Sequence, residues 1–483
     1  MSREDQIEKK FQAIEADTET VDNSNSSTDQ QRVIDMDKPN TTMSHKQWSA
    51  VINANYPDLL FAAELGLSIV AQILITDITN PFALVLVDVP SAGKTIVLNF
   101  FAEIDGLTYA SDKFSPASFV SNAANVAKSK LPDIDLLPRL RYKMLLIRDM
   151  ATVFSKREDE LNETLGTLTR VLDGEGLNTD TGVHGQRQYV GEYLFMVLAA
   201  STPIQPRVWK VMGNLGSRLF FLNMNSKSKS DDELADQLGS TTYKDKEMAC
   251  QLATQQLLQT LWSKYPKGIK WDSDNDDREL KIVLVRCARL LAHLRGVVNV
   301  YTEHYGDGTK YDYKSPVIEK PDRINQLFYN LARGHAIGSG RTKISKADVR
   351  PVIELAIDSA PTTRTTLFRE LIDLGGEITT TQVEELLNCS KPTALKEMEM
   401  LKILKLCSLT QDSQGLVGEP EKTLKLKPDF QWFLSDECKE LRGLPINKAN
   451  PTVCSADDQS ESQSILDSID QIFPGSTVIS EGL

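Results

Sequence analysis

A six-residue apolar run, Phe82-Ala83-Leu84-Val85-Leu86-Val87, passes directly into Asp88-Val89-Pro90-Ser91-Ala92-Gly93-Lys94-Thr95, and a helical run, Ile96–Ala102, begins at once after it. A run that is apolar throughout reads as a central strand buried on both faces of a parallel sheet. Strand, short turn ending in Gly-Lys-Thr, then helix is the context in which that tripeptide acquires a physical meaning. Backbone N–H groups of the turn and of the helix start would face an anion, since a helix N-terminus leaves donors unpaired and carries partial positive charge. In this arrangement Pro90, Ser91, Ala92 and Gly93 form a cradle, the Lys94 ammonium reaches the β- and γ-phosphates of ATP, and the Thr95 hydroxyl ligates Mg2+. Asp88 stands where the motif has its first glycine, so a carboxylate lies beside the phosphates and a flexible hinge is lost.

The same alternation continues along the chain. Apolar runs at Met144–Ile147 and Leu194–Ala199, with a fourth candidate at Leu219–Leu222, alternate with helical patterns such as Phe61–Leu74. Strands separated by helices build a parallel sheet covered on both sides. From about residue 231 to 357 the pattern is mostly helical, interrupted by a Gly/Asp/Tyr loop around Gly306–Lys314. The expected organisation is an acidic tail over 1–42, a nucleotide-binding core over 43–230, a helical lid over 231–360, a small C-terminal unit over 361–435 and a second acidic tail over 436–483. Within the second tail, Ile465, Leu466, Ile469, Ile472 and Phe473 are spaced for one short amphipathic helix.

The net charge of −13 argues against nucleic acid until its distribution is read. Residues 1–40 carry ten acids against five bases and residues 448–483 six acids against one base, which leaves the body between them near −3 and free to hold a local basic face. The six cysteines are scattered without C-x-x-C spacing, so no structural zinc is expected and the thiols read as reduced. No apolar run reaches the ~18 residues of a membrane span, and the N-terminus has no apolar signal core. These features predict a cytoplasmic chain with no membrane partner.

Asp149, at the end of the second apolar strand, is the candidate to hold Mg2+ beside the phosphate turn. The next position, where a glutamate would orient the attacking water, is Met150; Glu158, Asp159 and Glu160 are possible substitutes or simply a solvated helix face. The third strand ends at Ala199-Ala200-Ser201-Thr202-Pro203, a polar pair at a strand tip, and Gly216-Ser217-Arg218 leads into the fourth.

On these elements the chain resembles the AAA+ superfamily of P-loop ATPases, and within it the clade of the minichromosome-maintenance helicases. The resemblance, over roughly residues 50–435, implies an AAA+ three-layer parallel-sheet P-loop ATPase core with a helical lid and a C-terminal winged-helix domain. It implies a sensor role for Ser201 and Thr202, a γ-phosphate role for Arg323 in Glu319-Lys320-Pro321-Asp322-Arg323, and an arginine finger at Arg218, with Arg207 as the weaker competitor. A finger acts in a neighbouring subunit's site, so the resemblance also implies a homo-oligomer, and a ring.

Asp173 to Tyr189 is dense in Gly, Asn and Asp and reads as a hairpin. The related helicases carry a DNA-facing hairpin here, which makes His184, Gln186 and Arg187 candidate nucleic-acid contacts; a purely structural hairpin is the other reading. In the C-terminal unit, helices through Thr363–Leu374 and Gln382–Leu387 and a third from Ser390 to Leu404, followed by extended runs, have the order of a winged helix-turn-helix. Lys391, Thr393 and Lys396 would then face DNA, although many winged helices bind proteins instead. The expected activity is ATP hydrolysis coupled to remodelling of DNA or a DNA-bound complex, as a helicase-like motor or loader. The alternatives are a weakly hydrolysing ATP-dependent switch or DNA-binding regulator, and a protein-remodelling ATPase.

Overall fold

Among the described residues up to 223, seven strands punctuate the chain: β1 (Phe82–Val87), β2 (Thr108–Ala110), β3 (Met144–Ile147), β4 (Gly176–Thr181), β5 (Gly185–Val190), β6 (Met196–Ser201) and β7 (Leu219–Asn223). In this computed structural model, β1, β2, β3, β6 and β7 form one sheet in the order β2-β3-β6-β1-β7, and every pairing in it is parallel. The structure describes Arg32, Val33, Met36 and residues 41–445, apart from 122, 124, 182–184, 217, 227, 239–241, 299, 306–307, 314 and 412–420.

All residues of β1, β3 and β6 are buried, and the alternation of side chains divides them between two cores. Phe82, Leu84 and Leu86 enter one core with helices Leu60–Ala71 and Asp322–Gly338. Ala83, Val85 and Val87 enter the other, against helices Glu158–Val171 and Pro206–Leu215. Two layers of helix around one parallel sheet are the arrangement that uniformly apolar strands require. Helix Asp322–Gly338 lies tight on helix Leu60–Ala71 because residue 334 is glycine: a Cβ there would sit 2.0 Å from the Ser68 carbonyl oxygen. The segment Pro57–Leu74 has the length and mean hydropathy, 1.5, of a membrane-crossing helix, contrary to the expectation from the sequence; here 72% of it is buried within the protein.

Three further differences from the sequence reading have identifiable physical causes. Within the expected Gly306–Lys314 loop, Gly308–Tyr313 instead forms strand β9, paired antiparallel with β8 (Val300–Tyr305); residues 306, 307 and 314 lie outside the described residues. The three-residue β2 sits at the sheet edge, too short for a periodic signal. The acidic tail does not begin at 436, because Ser435 caps a helix, Asp436–Arg442, that buries Cys438 and Leu441 and pairs Arg442 with Glu354 at 2.8 Å. The candidate helix around Ile465–Phe473 lies outside the described residues.

The C-terminal unit runs helix Thr362–Asp373, β10 (Glu377–Thr379), helix Thr380–Leu387, helix Lys391–Ile403, β11 (Cys407–Gln411) and β12 (Lys422–Leu426). Its strands form an antiparallel sheet in the order β10-β12-β11. Thr379 starts the second helix through a capping box with Gln382. The unit is anchored on helix Arg278–Leu294 and its end: Arg364 Nη1 donates to the carbonyls of Leu294 and Gly296, each at 2.8 Å, and the Leu404 carbonyl lies 2.7 Å from His293 Nδ1.

Candidate functional site

Because the sheet is parallel, β1, β3 and β6 end at the same edge. Val87 is opposite Ser201 and Ile147 opposite Ala199, so Asp88, Asp149 and the Ser201–Thr202 pair emerge together. The crevice outside the carboxyl ends of parallel strands is where α/β sheets bind ligands.

The turn after β1 is built around Lys94, whose ammonium donates to the carbonyls of Asp88, at 2.8 Å, and Val89, at 2.6 Å. Ser91 and Gly93 have φ of 67° and 83°, and this left-handed backbone bends the chain into helix Lys94–Phe100, for which Gly93 is the N-cap. A Cβ on Gly93 would lie 3.0 Å from the Leu59 side chain. Burial lowers the Lys94 pKa, and the negative charges of Asp88 and Asp149 oppose that shift, which marks both carboxylates as close to the ammonium. Pro90, Ser91 and the Thr95 side chain are exposed at the surface of the turn, with Ala92 half-buried.

The Asp88 carboxylate is held in the turn itself. Its Oδ1 accepts the Val89 N–H at 2.7 Å and its Oδ2 the Ser226 N–H at 2.9 Å. The charge that replaces the expected glycine therefore ties the turn to the segment beyond β7, and one turn amide is already taken. Asp149 Oδ1 accepts the Ala151 N–H at 2.8 Å, while Met150 is 1% exposed and part of the core. Glu158, Asp159 and Glu160 fill the first turn of helix Glu158–Val171, where negative charge complements the helix dipole. Ser201 is buried and donates its hydroxyl to the Thr202 carbonyl at 2.9 Å.

Arg218 lies at the other edge. It precedes β7, and Leu219 pairs with Ala83, so about 16 Å of strand separates its level from the end of β1. It is buried, with Nε and Nη2 donating to Asp173 Oδ1 at 3.0 and 2.9 Å. Burial lowers its pKa, Asp173 opposes this, and the like charge of Arg323 adds to the lowering. Arg323 is exposed beside it: a Cβ on Gly216 would be 3.5 Å from Arg218 Nη1 and 3.8 Å from Arg323 Nη1. Arg207 is engaged elsewhere, donating to the carbonyls of Lys156 at 2.8 Å and Phe154 at 3.0 Å.

The expected hairpin exists as β4 paired with β5. His184 lies outside the described residues. Gln186 is exposed, but Arg187 corrects the expectation: it is 7% exposed and its guanidinium turns inward onto the fully buried Asp135 and the Ser121 carbonyl. Tyr189 donates to the same carboxylate at 2.6 Å. A buried cation needs such a partner, and the pairing removes Arg187 from any nucleic-acid surface. On helix Lys391–Ile403, Thr393 and Lys396 are exposed and Lys391 is half-buried.

Sequence reasoning missed a cleft of about 160 Å3 beside the turn, lined by Asp88, Val89, Asn223, Asp358 and Arg369 among others. Asp358 accepts the Asn223 N–H at 2.9 Å and Arg369 Nη2 at 2.6 Å, so the phosphate turn and the C-terminal unit share this wall. The partners come from segments more than a hundred residues apart, and no local spacing marks them.

No family profile matches the chain, and no curated protein matches it. Among solved structures, it is similar to the A form apo structure of the NrS-1 C-terminal region, at 13% identity, with 81% of this chain and 77% of that one covered and a TM-score of 0.27. It is also similar to JCV helicase bound to an acetamide compound, at 15% identity, with 45% of this chain and 54% of that one covered and a TM-score of 0.26. At TM-scores this low, neither likeness carries an argument about this chain.

Proposed function

We propose that the chain is an AAA+-type P-loop ATPase that couples Mg-ATP binding and hydrolysis to remodelling of DNA or a DNA-bound complex. One observation carries this reading: a buried lysine ammonium, sunk in a turn at the end of a central parallel strand and held by two of the turn's own carbonyls. Phosphate oxygens would replace those carbonyls as acceptors, at a point where the turn's amides and the helix start favour an anion. Lys94 would hold the triphosphate, Thr95 and Asp149 the Mg2+, and Ser201 and Thr202 would sense the terminal phosphate. The bound metal ion would neutralise charge on the phosphates.

Arg218 and Arg323 cannot serve their own protomer's turn from the opposite edge of the sheet. Their place as a pair supports delivery to a neighbour's turn, and hence a homo-oligomer, with a ring as its closed form. The order of helices and antiparallel strands after Thr362 supports a winged helix, with Lys391, Thr393 and Lys396 as its DNA contacts. Glu399, paired with Lys402 at 3.1 Å on the same helix, dilutes that charge.

A second reading is favoured by Asp88, which occupies the Val89 amide, and by Met150, which places an apolar side chain where a base is needed. In it the protein is a nucleotide-dependent switch with little hydrolysis. ATPase rates across a DNA titration, with the assembly state weighed by native mass spectrometry, separate the two. The motor requires turnover that rises with DNA in an oligomer; ATP binding without turnover at any DNA concentration leaves the switch.

A further inference from the structure

An open cavity of about 390 Å3 lies where helices Leu60–Ala71, Asp322–Gly338 and Arg350–Asp358 meet the C-terminal helix Asp436–Arg442. None of its lining belongs to the turn at 88–95 or to the ends of β3 and β6. Its size is that of a small-molecule site, with apolar walls and a few convergent polar groups.

Most of the charges around it are already matched. Asp348 is buried and accepts from His335 Nδ1 at 2.6 Å and from Arg341 Nη2, while its other oxygen takes the Ser345 N–H at 2.6 Å. Lys346 pairs with Glu440 at 3.3 Å, with both ends exposed and the pair correspondingly weak.

What remains is a surplus of donors. Arg341 Nε is buried without a hydrogen-bond partner. The Arg350 guanidinium lies 5.0 Å over the Phe61 ring and, among the described residues, makes no hydrogen bond or ion pair. His45 packs against the rings of Trp48 and His335, and its nitrogens likewise have no hydrogen-bond partner among the described residues. Against them stands Glu64, whose carboxyl pKa burial raises while the nearby charges of His335 and Arg350 oppose that shift. An unpaired buried donor is costly, and planar guanidiniums are suited to oxyanions.

We propose that this cavity binds a small phosphorylated molecule, with its phosphate held by Arg350, Arg341 and His45 and the rest of it against Phe61 and Pro351. Three donor groups on three separate helices or loops match the oxygens of a phosphomonoester better than the two of a carboxylate. The cavity joins the helix at the start of the core, the lid helices and the last helix of the described chain, so occupancy clamps these elements together.

The test uses the full chain with inorganic phosphate as the probe, titrated at constant ionic strength against chloride in thermal melts. Lys94→Ala is run beside the wild type so that phosphate at the 88–95 turn does not count. Phosphate raises Tm in both, and Arg350→Gln weakens the apparent phosphate affinity by roughly tenfold or more, as expected for loss of a charge-assisted contact. An unaltered phosphate response in Arg350→Gln overturns the site, and so does a response that disappears in Lys94→Ala. Should Arg350→Gln fail to fold, the ring resonances of the five histidines supply a second reading. Phosphate shifts the signal that is missing in His45→Gln, and an unmoved His45 signal overturns the site.

Discussion

Arg218 grips one oxygen of Asp173 with both Nε and Nη2, at 3.0 and 2.9 Å, on the side of the sheet away from Lys94. An arginine that is to stabilise charge on a neighbour's phosphates has to be held ready yet released, and Asp173, a quarter exposed, is a partner it can leave. Arg218→Ala is expected to leave ATP affinity in place and to lower turnover by about a thousandfold, the scale of a lost arginine finger. The decisive measurement mixes Arg218→Ala with Lys94→Ala protein. Two inactive variants that together recover turnover place the arginine in trans; a mixture as dead as its parts removes the assignment.

Lys94→Ala tests the phosphate turn directly. The variant loses the one buried ammonium at the end of β1 while its two carbonyl acceptors stay free to meet water. Titration with a fluorescent ATP analogue should show affinity falling by roughly one to two orders of magnitude, the scale of a hydrogen bond to a charged group. Wild-type affinity in this variant would end the nucleotide reading.

The parts of this fold that were legible in the sequence are those whose signal is local. β1 has its expected bounds because six consecutive apolar residues leave no other choice, and the pairing of β4 with β5 follows from the Gly, Asn and Asp density of Asp173–Tyr189. Boundaries slipped where the signal was not local. Leu194 and Phe195 are as apolar as β6 yet precede it, and Asp436–Arg442 is acidic at its start but helical because Ser435 caps it and Arg442 finds Glu354. At the site, residue types could be read but orientations could not. By residue type Arg187 reads as a contact for nucleic acid, whereas Asp135, 52 residues away, claims its guanidinium. Asp88 is legible as a charge beside the phosphate turn, but its tie to the Ser226 amide, 138 residues on, is not.

The Arg187–Asp135 pair is expected to matter for stability. Asp135 is fully buried, so Asp135→Ala strands a guanidinium in the core, and breaking a buried pair this way costs about 3–5 kcal/mol. Urea denaturation should register that loss, with most of it recovered in Asp135→Ala combined with Arg187→Met, which removes both charges. A double variant no better than the single one would mean that the pair is not what holds the hairpin.

Asp88→Asn removes a negative charge beside the phosphate turn while keeping one carbonyl acceptor, which can serve the Val89 amide or the Ser226 amide but not both. ATP affinity should rise, by roughly severalfold at low salt, and the gain should shrink as salt shortens the range of the repulsion. An affinity that falls, with no dependence on salt, would show that the carboxylate supports the turn more than it opposes the nucleotide.

His45 sets a pH dependence that is expected whatever the ligand. Burial lowers its pKa from 6.5 to about 4, helped by the positive charges of His335 and Arg341 and opposed by Asp348. The folded protein thus keeps the ring neutral where the unfolded chain would protonate it. Between pH 6.5 and about 4 the unfolded state binds more protons, so stability falls as the pH is lowered through that window and is fully present above it. Urea midpoints measured at pH 7.5 and pH 5 should differ in the wild type, and His45→Gln, which has no proton to gain, should narrow the difference. Equal pH dependence in the two proteins would show that His45 reaches solvent when it titrates and that its surroundings do not hold it neutral.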